Sequence, residues 1–506
     1  MTGVQTCALP IFAKLIVEPD KIEDYFEEYL QGFSDNVKDI IENFDFDNTV
    51  KLMVKGGVLF VTLQEFNSAK ADMSPDKITS ADMGYIFEEL IRKFSESYDE
   101  QAGAHFTSRD IIYLMTELLV APEKTDIMKN GCTKTAYDMA MGTSQMLGCL
   151  TERLKEINSE ADLTCFGQEF NPETYAIAKA DMLIKGGNAS GMKYGDTLSN
   201  DAFDGYEFDY IISNPPFGID WKREKEAVEK EAKRGYEGRF GPGVPAISDG
   251  QMLFMLNGVK KLKEGSGRMA IIQNGSSLFT GDAGSGASEI RKYVIGEDLV
   301  EAIVQLPTDL FYNTGISTYI WILTKGKDMN RSGKIQLIDA SKCYVKRRKN
   351  IGSKRVDLDD ACIELILRAY EGFENETYED DGLVVESKVF DKEFFGFTKV
   401  TVETAQVDED GKPILKKGKK QPVKGATDTE IIPLSEDIVA YMEKNVLPYN
   451  PNAYIDSSKN KEGYEVPFTR LFYKFEAPAS SESISEEIKE LEAEETILMK
   501  ELFGNA

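Results

Sequence analysis

Two periodicities divide the chain. From about Glu18 to Asp99, apolar residues recur at three- and four-residue spacing, as in Ile22, Tyr25, Phe26, Tyr29, Leu30 and Phe33 and again in Ile86, Phe87, Leu90, Ile91 and Phe94. Such spacing lines one face of a helix and predicts a small all-α domain. Its side chains read as packing, and none as catalytic. A polar turn, Ala104 to Asp110, then leads into a helix over Ile111 to Leu119, with Ser108 or Thr107 as the N-cap. Beyond it, short runs rich in β-branched and aromatic residues alternate with helical segments. Strands are predicted over Thr135–Met141, Leu163–Phe170, Met192–Tyr194, Phe208–Ser213, Arg268–Gln273, Leu299–Leu306 and Ser317–Thr324, with helices such as Pro172–Ile184 and Gly250–Leu262 between most of them. Seven strands in this rhythm predict an α/β fold built on a doubly wound, mostly parallel sheet.

Residues 221–248 are charged and Gly-rich and read as a long surface loop beside the sheet rim. After Lys325 the pattern loosens. Lys334–Asp339 reads as one further strand, and Glu403–Lys420 as a polar hairpin around Asp410-Gly411. Ser481–Phe503 spaces Ile484, Ile488, Leu491, Leu498 and Leu502 at fours and threes, with Glu495 interrupting the seam. That heptad-like spacing predicts a helix that packs against another, in this chain or a different one.

Composition narrows the functional classes. A chain of 506 residues has room for two or three domains, and a net charge of −28 argues against gripping a nucleic acid alone. A more basic partner is expected if DNA is involved. The six cysteines are scattered with no CxxC pair, so neither a metal site nor a disulfide framework is expected, and a cytoplasmic setting fits. No apolar run has the length of a membrane helix, so no membrane partner is expected. Met1 to Ile11 looks like translated sequencing adapter, a scar to be excluded from fold reasoning, which leaves the natural N-terminus missing. Lys346-Arg347-Arg348-Lys349 with Lys354 and Arg355 is the densest basic cluster, and two readings stay open for it: a solvated face, or contact with phosphate.

The candidate chemistry sits at four successive strand ends. The first strand runs into Asp138-Met139-Ala140-Met141-Gly142-Thr143-Ser144-Gln145, a small-residue turn before a helix N-terminus, which makes a cofactor cradle. Glu169 ends the second strand, where an acid accepts from ribose hydroxyls or serves the following helix start. Asp196 follows the third, placed to accept from an adenine amino group. The fourth stops at Asn214-Pro215-Pro216-Phe217, because proline offers no N–H to a ladder. Taken alone, that tetrapeptide is a turn after a core strand. In the series, it is an amide acceptor, a carbonyl and an aromatic face at a ligand-binding rim.

In this order, Asp138…Gly142-Thr143-Ser144, Glu169, Asp196 and Asn214-Pro215-Pro216-Phe217 resemble the S-adenosylmethionine-dependent N6-adenine DNA methyltransferases, in particular the modification (M) subunit of type I restriction–modification systems. The resemblance extends to His105-Phe106-Thr107-Ser108-Arg109, to Ser248-Asp249-Gly250-Gln251 and to residues 268–279 and 310–323. Met139, Ser144 and Gln145 replace a proline and glycines of the usual cofactor loop, and His105 and Ser108 replace a tyrosine and a proline. The resemblance implies a Rossmann-like class I methyltransferase sheet of seven strands, with an N-terminal helical domain and a C-terminal helical extension. The expected division is 1–11 scar, 12–100 helical domain, 101–330 methyltransferase domain, 331–480 extension of the catalytic domain and 481–506 a helix for subunit contact.

The implied mechanism is direct methyl transfer to N6 of a flipped adenine. Asn214 and the Pro215 carbonyl would accept the two amino N–H bonds, and Phe217 would stack on the base; Pro216 completes the catalytic segment. Glu169 would hold the cofactor ribose, Asp196 its adenine amino group, and Thr143, Ser144 and Gln145 its methionine end, with Asp138 and Gly142 shaping the cradle. The turn of His105, Phe106, Thr107, Ser108 and Arg109 would close over it. Implied partners are double-stranded DNA, a specificity (S) subunit, a second copy of the chain and, optionally, a restriction (R) subunit. Two rivals remain: glutamine N5-methylation of a protein, and a non-catalytic assembly subunit with a decayed cofactor loop.

Overall fold

The computed structural model describes residues 14–73, 77–78, 83, 86, 90, 107–475 and 480–503. The adapter-like start, most of the second predicted helical stretch around Phe87 to Phe94, and His105 and Phe106 lie outside the described residues. The chain divides into two units after Val466. Among the described residues, no helix is long and apolar enough to cross a membrane.

The first unit opens with a bundle of short helices, α1 (Ile22–Gln31), α2 (Asp35–Asn43), α3 (Phe46–Lys55) and α4 (Leu59–Phe66). Ile22, Phe26 and Leu30, which the helical periodicity selects, form their shared core with Val50, Leu59 and Leu63. Then come α5 (Arg109–Val120), β1 (Thr133–Asp138), α6 (Gln145–Ile157), β2 (Asp162–Glu169), α7 (Pro172–Ile184), β3 (Met192–Tyr194), β4 (Tyr210–Ser213), α8 (Lys225–Ala232), α9 (Gln251–Lys260), β5 (Arg268–Asn274), α10 (Gly286–Gly296), β6 (Val300–Gln305), β7 (Thr318–Thr324) and β8 (Lys334–Asp339). The bundle docks on α7, where buried Lys179 donates to Asp39, which also accepts from the Tyr175 hydroxyl at 2.7 Å.

The seven predicted strands all form, in the order β3-β2-β1-β4-β5-β7-β6. β7 runs antiparallel to both β5 and β6, while β1 to β5 are parallel. β4, β5 and β7 are buried along nearly their whole length, which is why they read as continuous apolar runs. β1 and β4 are adjacent although β2 and β3 intervene in sequence, so the order reverses between them. The crevice above that reversal is where an open α/β sheet binds its ligand.

The further strand read at Lys334–Asp339 forms as β8 and pairs with β6, and β12 (Leu383–Asp391) and β11 (Glu376–Asp380), which the sequence reading did not single out, extend the sheet to ten strands. Between them lie the β9–β10 hairpin (Val345–Ile351 and Lys354–Asp357) and α11 (Asp360–Gly372). Residues 221–248 are no surface loop. They contain α8, and Trp221, Val228 and Phe240 are buried in a cluster with α9 residues Met252, Leu253 and Leu256. Their apolar residues are too far apart in sequence to show a period. The basic cluster is not uniformly solvated either, because Lys354 is buried.

A second sheet, β13 (Gly396–Ala405), β16 (Pro422–Pro433), β17 (Ala453–Ile455) and β18 (Lys461–Tyr464), follows the first. The predicted reversal at Asp410-Gly411 forms, with Val407 bridged antiparallel to Pro413 and Asp408 N donating to the Lys412 carbonyl at 2.9 Å, and the lysine-rich β14–β15 pair (Leu415–Lys416 and Lys419–Lys420) adds a second reversal at Lys417-Gly418 before β16. Arg291 of α10 ties this sheet to the first: its buried guanidinium donates to the carbonyls of Tyr464, Ser277 and Thr280. The second unit contains a short helix at Phe468–Phe472 and α12 (Ser481–Phe503).

Candidate active site

The reversal between β1 and β4 is held by side chains. Ser213, the last residue of β4, donates its hydroxyl to Asp138, the last of β1, at 2.7 Å. The Ala140 N–H reaches the same carboxylate oxygen at 3.1 Å. Burial pushes the Asp138 carboxyl up to about 7 against those two bonds, with the nearby charge of Glu169 adding to the rise.

The loop after Asp138 folds back on β2. Met141 donates to the Gln168 carbonyl, and the Gly142 N–H donates to Glu169 Oε2 at 2.9 Å. Glu169 Oε1 accepts from Asn171 N at 2.8 Å, so one carboxylate joins the loops after β1 and β2. Asn171 in turn caps α7, accepting from Thr174 N at 3.0 Å with Pro172 at the first helical position. Gly142 has φ +53°, a left-handed conformation natural to glycine. Ser144 has φ +65° and is the residue before α6, so the serine occupies a backbone conformation that favours glycine. Asp196 is fixed by Leu198 N (2.8 Å) and Ser199 Oγ (2.9 Å).

Above these loops lies a cavity of about 630 Å³. Of the residues singled out in the sequence, Thr107, Asp138, Gly142, Thr143, Gln145, Glu169, Asp196, Asn214 and Pro216 line it. All four strand-end motifs are therefore brought to one crevice. Ser108, Arg109, Ser144, Pro215 and Phe217 are not part of its wall. Ser108 holds the N-cap position of α5, yet its hydroxyl accepts from Lys354 at 3.2 Å instead of from the helix amides. Ser144 is buried beneath the loop, and Phe217 is packed against the main core cluster.

Two buried acceptors on the cavity's lining residues have no hydrogen-bond partner: Asn214 Oδ1 and Gln145 Oε1. Leaving a buried acceptor unpaired costs about 1–3 kcal/mol, so such atoms mark places where a donor arrives. The orientation of Asn214 is set by its other end, where Nδ2 donates to Thr107 Oγ1 at 2.9 Å.

The sequence reading missed part of the wall. Phe170, Trp221, Glu224 and Phe254 also line the cavity. Phe170 was legible in principle, since it is an aromatic directly after a rim acid and is 58% exposed. Glu224 faces Asp196, and burial followed by that neighbouring charge raises its carboxyl. The loop after Phe217 is anchored by Asp249, which accepts from Gly218 N at 3.3 Å. Gln251 knits Asp249, Asn274 and Ser276 together through bonds of 2.6–2.8 Å. Thus the Ser248–Gln251 segment holds the end of β5 against the tetrapeptide's loop.

Residues 79–410 match the family model described as N-6 DNA Methylase. The chain is 26% identical over 416 residues to the HindI methylase subunit of a type I restriction enzyme from Haemophilus influenzae, covering 80% of this chain and 86% of that one. It is 27% identical to the MjaIX methylase subunit of Methanocaldococcus jannaschii over 59% of its length, spanning half (50%) of that relative. Among solved structures, a type I methyltransferase subunit from Streptococcus thermophilus superposes with a TM-score of 0.56 at 22% identity, over 76% of each chain. A type I restriction–modification assembly contains a chain with a TM-score of 0.50 at 15% identity, covering 96% of this chain and 83% of that one. The matched region takes in the loop after β1, the rim acids and Asn214-Pro215-Pro216-Phe217, and this chain belongs to the N-6 DNA methylase family.

Proposed function

We propose that this chain is the modification subunit of a type I restriction–modification complex and transfers a methyl group from S-adenosylmethionine to N6 of an adenine extruded from duplex DNA. The observation that carries the reading is the oriented, partnerless Asn214 Oδ1, on a residue that lines the same cavity as Asp138, Gly142, Glu169 and Asp196. An exocyclic amino group is the N–H donor that this acceptor lacks.

The residues present fit S-adenosylmethionine. Glu169 and Asp196 offer carboxylates to ribose hydroxyls and to an adenine amino group, and the free Gln145 oxygen offers an acceptor to the ammonium of the methionine end. When bound, the cofactor supplies a methyl group on a positively charged sulfur.

The chain's own residues address the poor nucleophilicity of adenine N6, whose lone pair is delocalised into the ring. Asn214 Oδ1 and the Pro215 carbonyl accept the two N–H bonds and so favour a tetrahedral nitrogen with its lone pair free. Thr107 keeps the Asn214 amide from turning. Phe217 leaves its core contacts to stack on the extruded base. Orientation of this kind replaces a strong base. In this reading DNA sequence is read by a specificity subunit and two modification subunits serve each one, with a restriction subunit as an optional addition. The acidic charge of this chain, −28, supports a division of labour in which a partner carries much of the DNA.

The test is long-read detection of N6-methyladenine in DNA treated with the complex, alongside calorimetry of S-adenosylmethionine binding. Methylation is expected with the wild type and not with Asn214→Ala. Undiminished methylation by that variant would remove the catalytic assignment, and an absence of cofactor binding would favour an assembly role instead.

A further inference from the structure

We propose that the β9–β10 hairpin is a phosphate-binding element that grips the DNA backbone beside the target base. This rests on the methyltransferase reading above and deepens it. Seven of the fourteen residues from Lys342 to Arg355 are Lys or Arg and none is acidic, in a chain with 87 acids against 59 bases. Surface charges in such an acidic protein readily find carboxylates, yet the exposed Lys346, Arg348, Lys349 and Arg355 make no ion pair with any described residue. Their mutual repulsion is a standing cost that an anion relieves.

The hairpin's shape brings these cations forward. Val356 pairs with Lys346 and Lys354 with Ile351, which leaves Arg347 to Asn350 opposite the single residue Arg355. A bulge of this size arches one strand out of the ladder and re-aims its side chains. Arg347 stays behind, paired with Asp357 and donating to the Lys349 carbonyl at 3.2 Å, and so braces the arch from below.

The hairpin's footing places it at the catalytic rim. Ser353 N donates to Tyr312 O and Arg355 N to Asp309 O, both at 2.8 Å, and these residues follow β6 at the same edge of the sheet as Asn214. Lys354 is only 1% exposed, and its ammonium donates to Asp110 Oδ2 (2.8 Å), Leu310 O (3.0 Å) and Ser108 Oγ (3.2 Å). Ser108 adjoins Thr107, the residue that orients Asn214. A single buried lysine thus connects a basic arch to the base-handling amide.

Duplex DNA is the anion that fits. At about 3.3 Å per strand residue the arch spans a few phosphates of one backbone, and extruding a nucleotide requires its flanking phosphates to be held. The test uses the full chain in complex with its specificity subunit and a target duplex. With Lys346→Gln, Arg348→Gln, Lys349→Gln and Arg355→Gln combined, the slope of log affinity against log salt should fall by about 0.9 for each phosphate no longer gripped, a change of about 2–4 in all. KM for DNA should rise about tenfold or more at physiological salt, while S-adenosylmethionine binding reports an intact fold. An unchanged salt slope and KM would overturn the proposal. So would weakened assembly with the specificity subunit while the complex that does form keeps an unchanged slope, which would assign the arch to an acidic protein surface. If the wild-type complex methylates no DNA, the functional reading fails on its own, and the slope of DNA binding still decides the hairpin.

Discussion

Asn214 donates its amide N–H to the Thr107 hydroxyl at 2.9 Å and keeps its oxygen free of any partner. Two segments 107 residues apart in sequence thereby share one task. Thr107→Val preserves shape but removes the acceptor, so the amide loses the bond that fixes its orientation. We expect kcat to fall about tenfold, equivalent to about 1.4 kcal/mol, with S-adenosylmethionine affinity changed less than about threefold. Thr107→Ser should restore the rate; steady-state kinetics on all three proteins decides it.

Asp138 gives a pH dependence of defined sign. Its folded pKa, about 7, lies above its ordinary value of 3.8. The fold therefore favours the protonated acid: this group's contribution to stability is fully present below about pH 4 and is lost as pH rises through about 7. Asp138→Asn should unfold at higher denaturant than the wild type at pH 8, by about 2 kcal/mol, with the difference shrinking towards about pH 5. A cationic cofactor bound near this carboxylate favours its ionised form, so affinity should tighten about tenfold between about pH 6 and pH 8 and flatten in the variant. Calorimetry across that range measures both.

Ser144 occupies the left-handed region at φ +65°, and its hydroxyl makes only a long, weak hydrogen bond to Met192 Sδ at 4.0 Å among the described residues. A non-glycine residue there costs about 1–2 kcal/mol, offset in part by the greater freedom of glycine in the unfolded chain. Ser144→Gly should stabilise the protein by about 0.5–1 kcal/mol without loss of cofactor binding. A denaturant midpoint unchanged or lowered would show that the serine makes a compensating contact.

The C-terminal helix α12 exposes Ile484, Ile488, Leu491 and Leu498, each 45–58% accessible, on the seam that the heptad spacing predicts. Deleting Glu482–Ala506 should abolish co-purification with the specificity subunit while leaving S-adenosylmethionine binding intact. Unchanged assembly would assign the contact elsewhere.

Legibility in the sequence followed the physics of each segment. Met192–Tyr194 and Lys334–Asp339 are strands at the predicted boundaries, and Pro172–Ile184 is a helix at its predicted ones, because turn residues and a proline punctuate them. The rim acids were readable because strand ends are readable. What escaped notice depends on distant contacts. Trp221, Val228 and Phe240 are buried far apart on a charged background. Lys354 looks like any surface lysine until Asp110 and Ser108 are folded against it. β11, Glu-Thr-Tyr-Glu-Asp, is a strand only because β12 pairs with it, and no local preference announces it. The left-handed turn at Ser144 is invisible in composition, since only the packing of the loop imposes it.

The pairing of β8 with β6 bears on how the protein is made. A ribosome delivers every element of the cofactor crevice before it delivers Lys334–Asp339, and until then β6 has a neighbour on one side only, β7. Its open side is an apolar strand edge, the kind of surface that recruits other nascent chains. The stretch from Lys334 to Asp391 therefore serves as the closing seam of the catalytic sheet, and a gene shortened to the segment that carries all the recognisable motifs would encode a sheet left open where the native one is continuous.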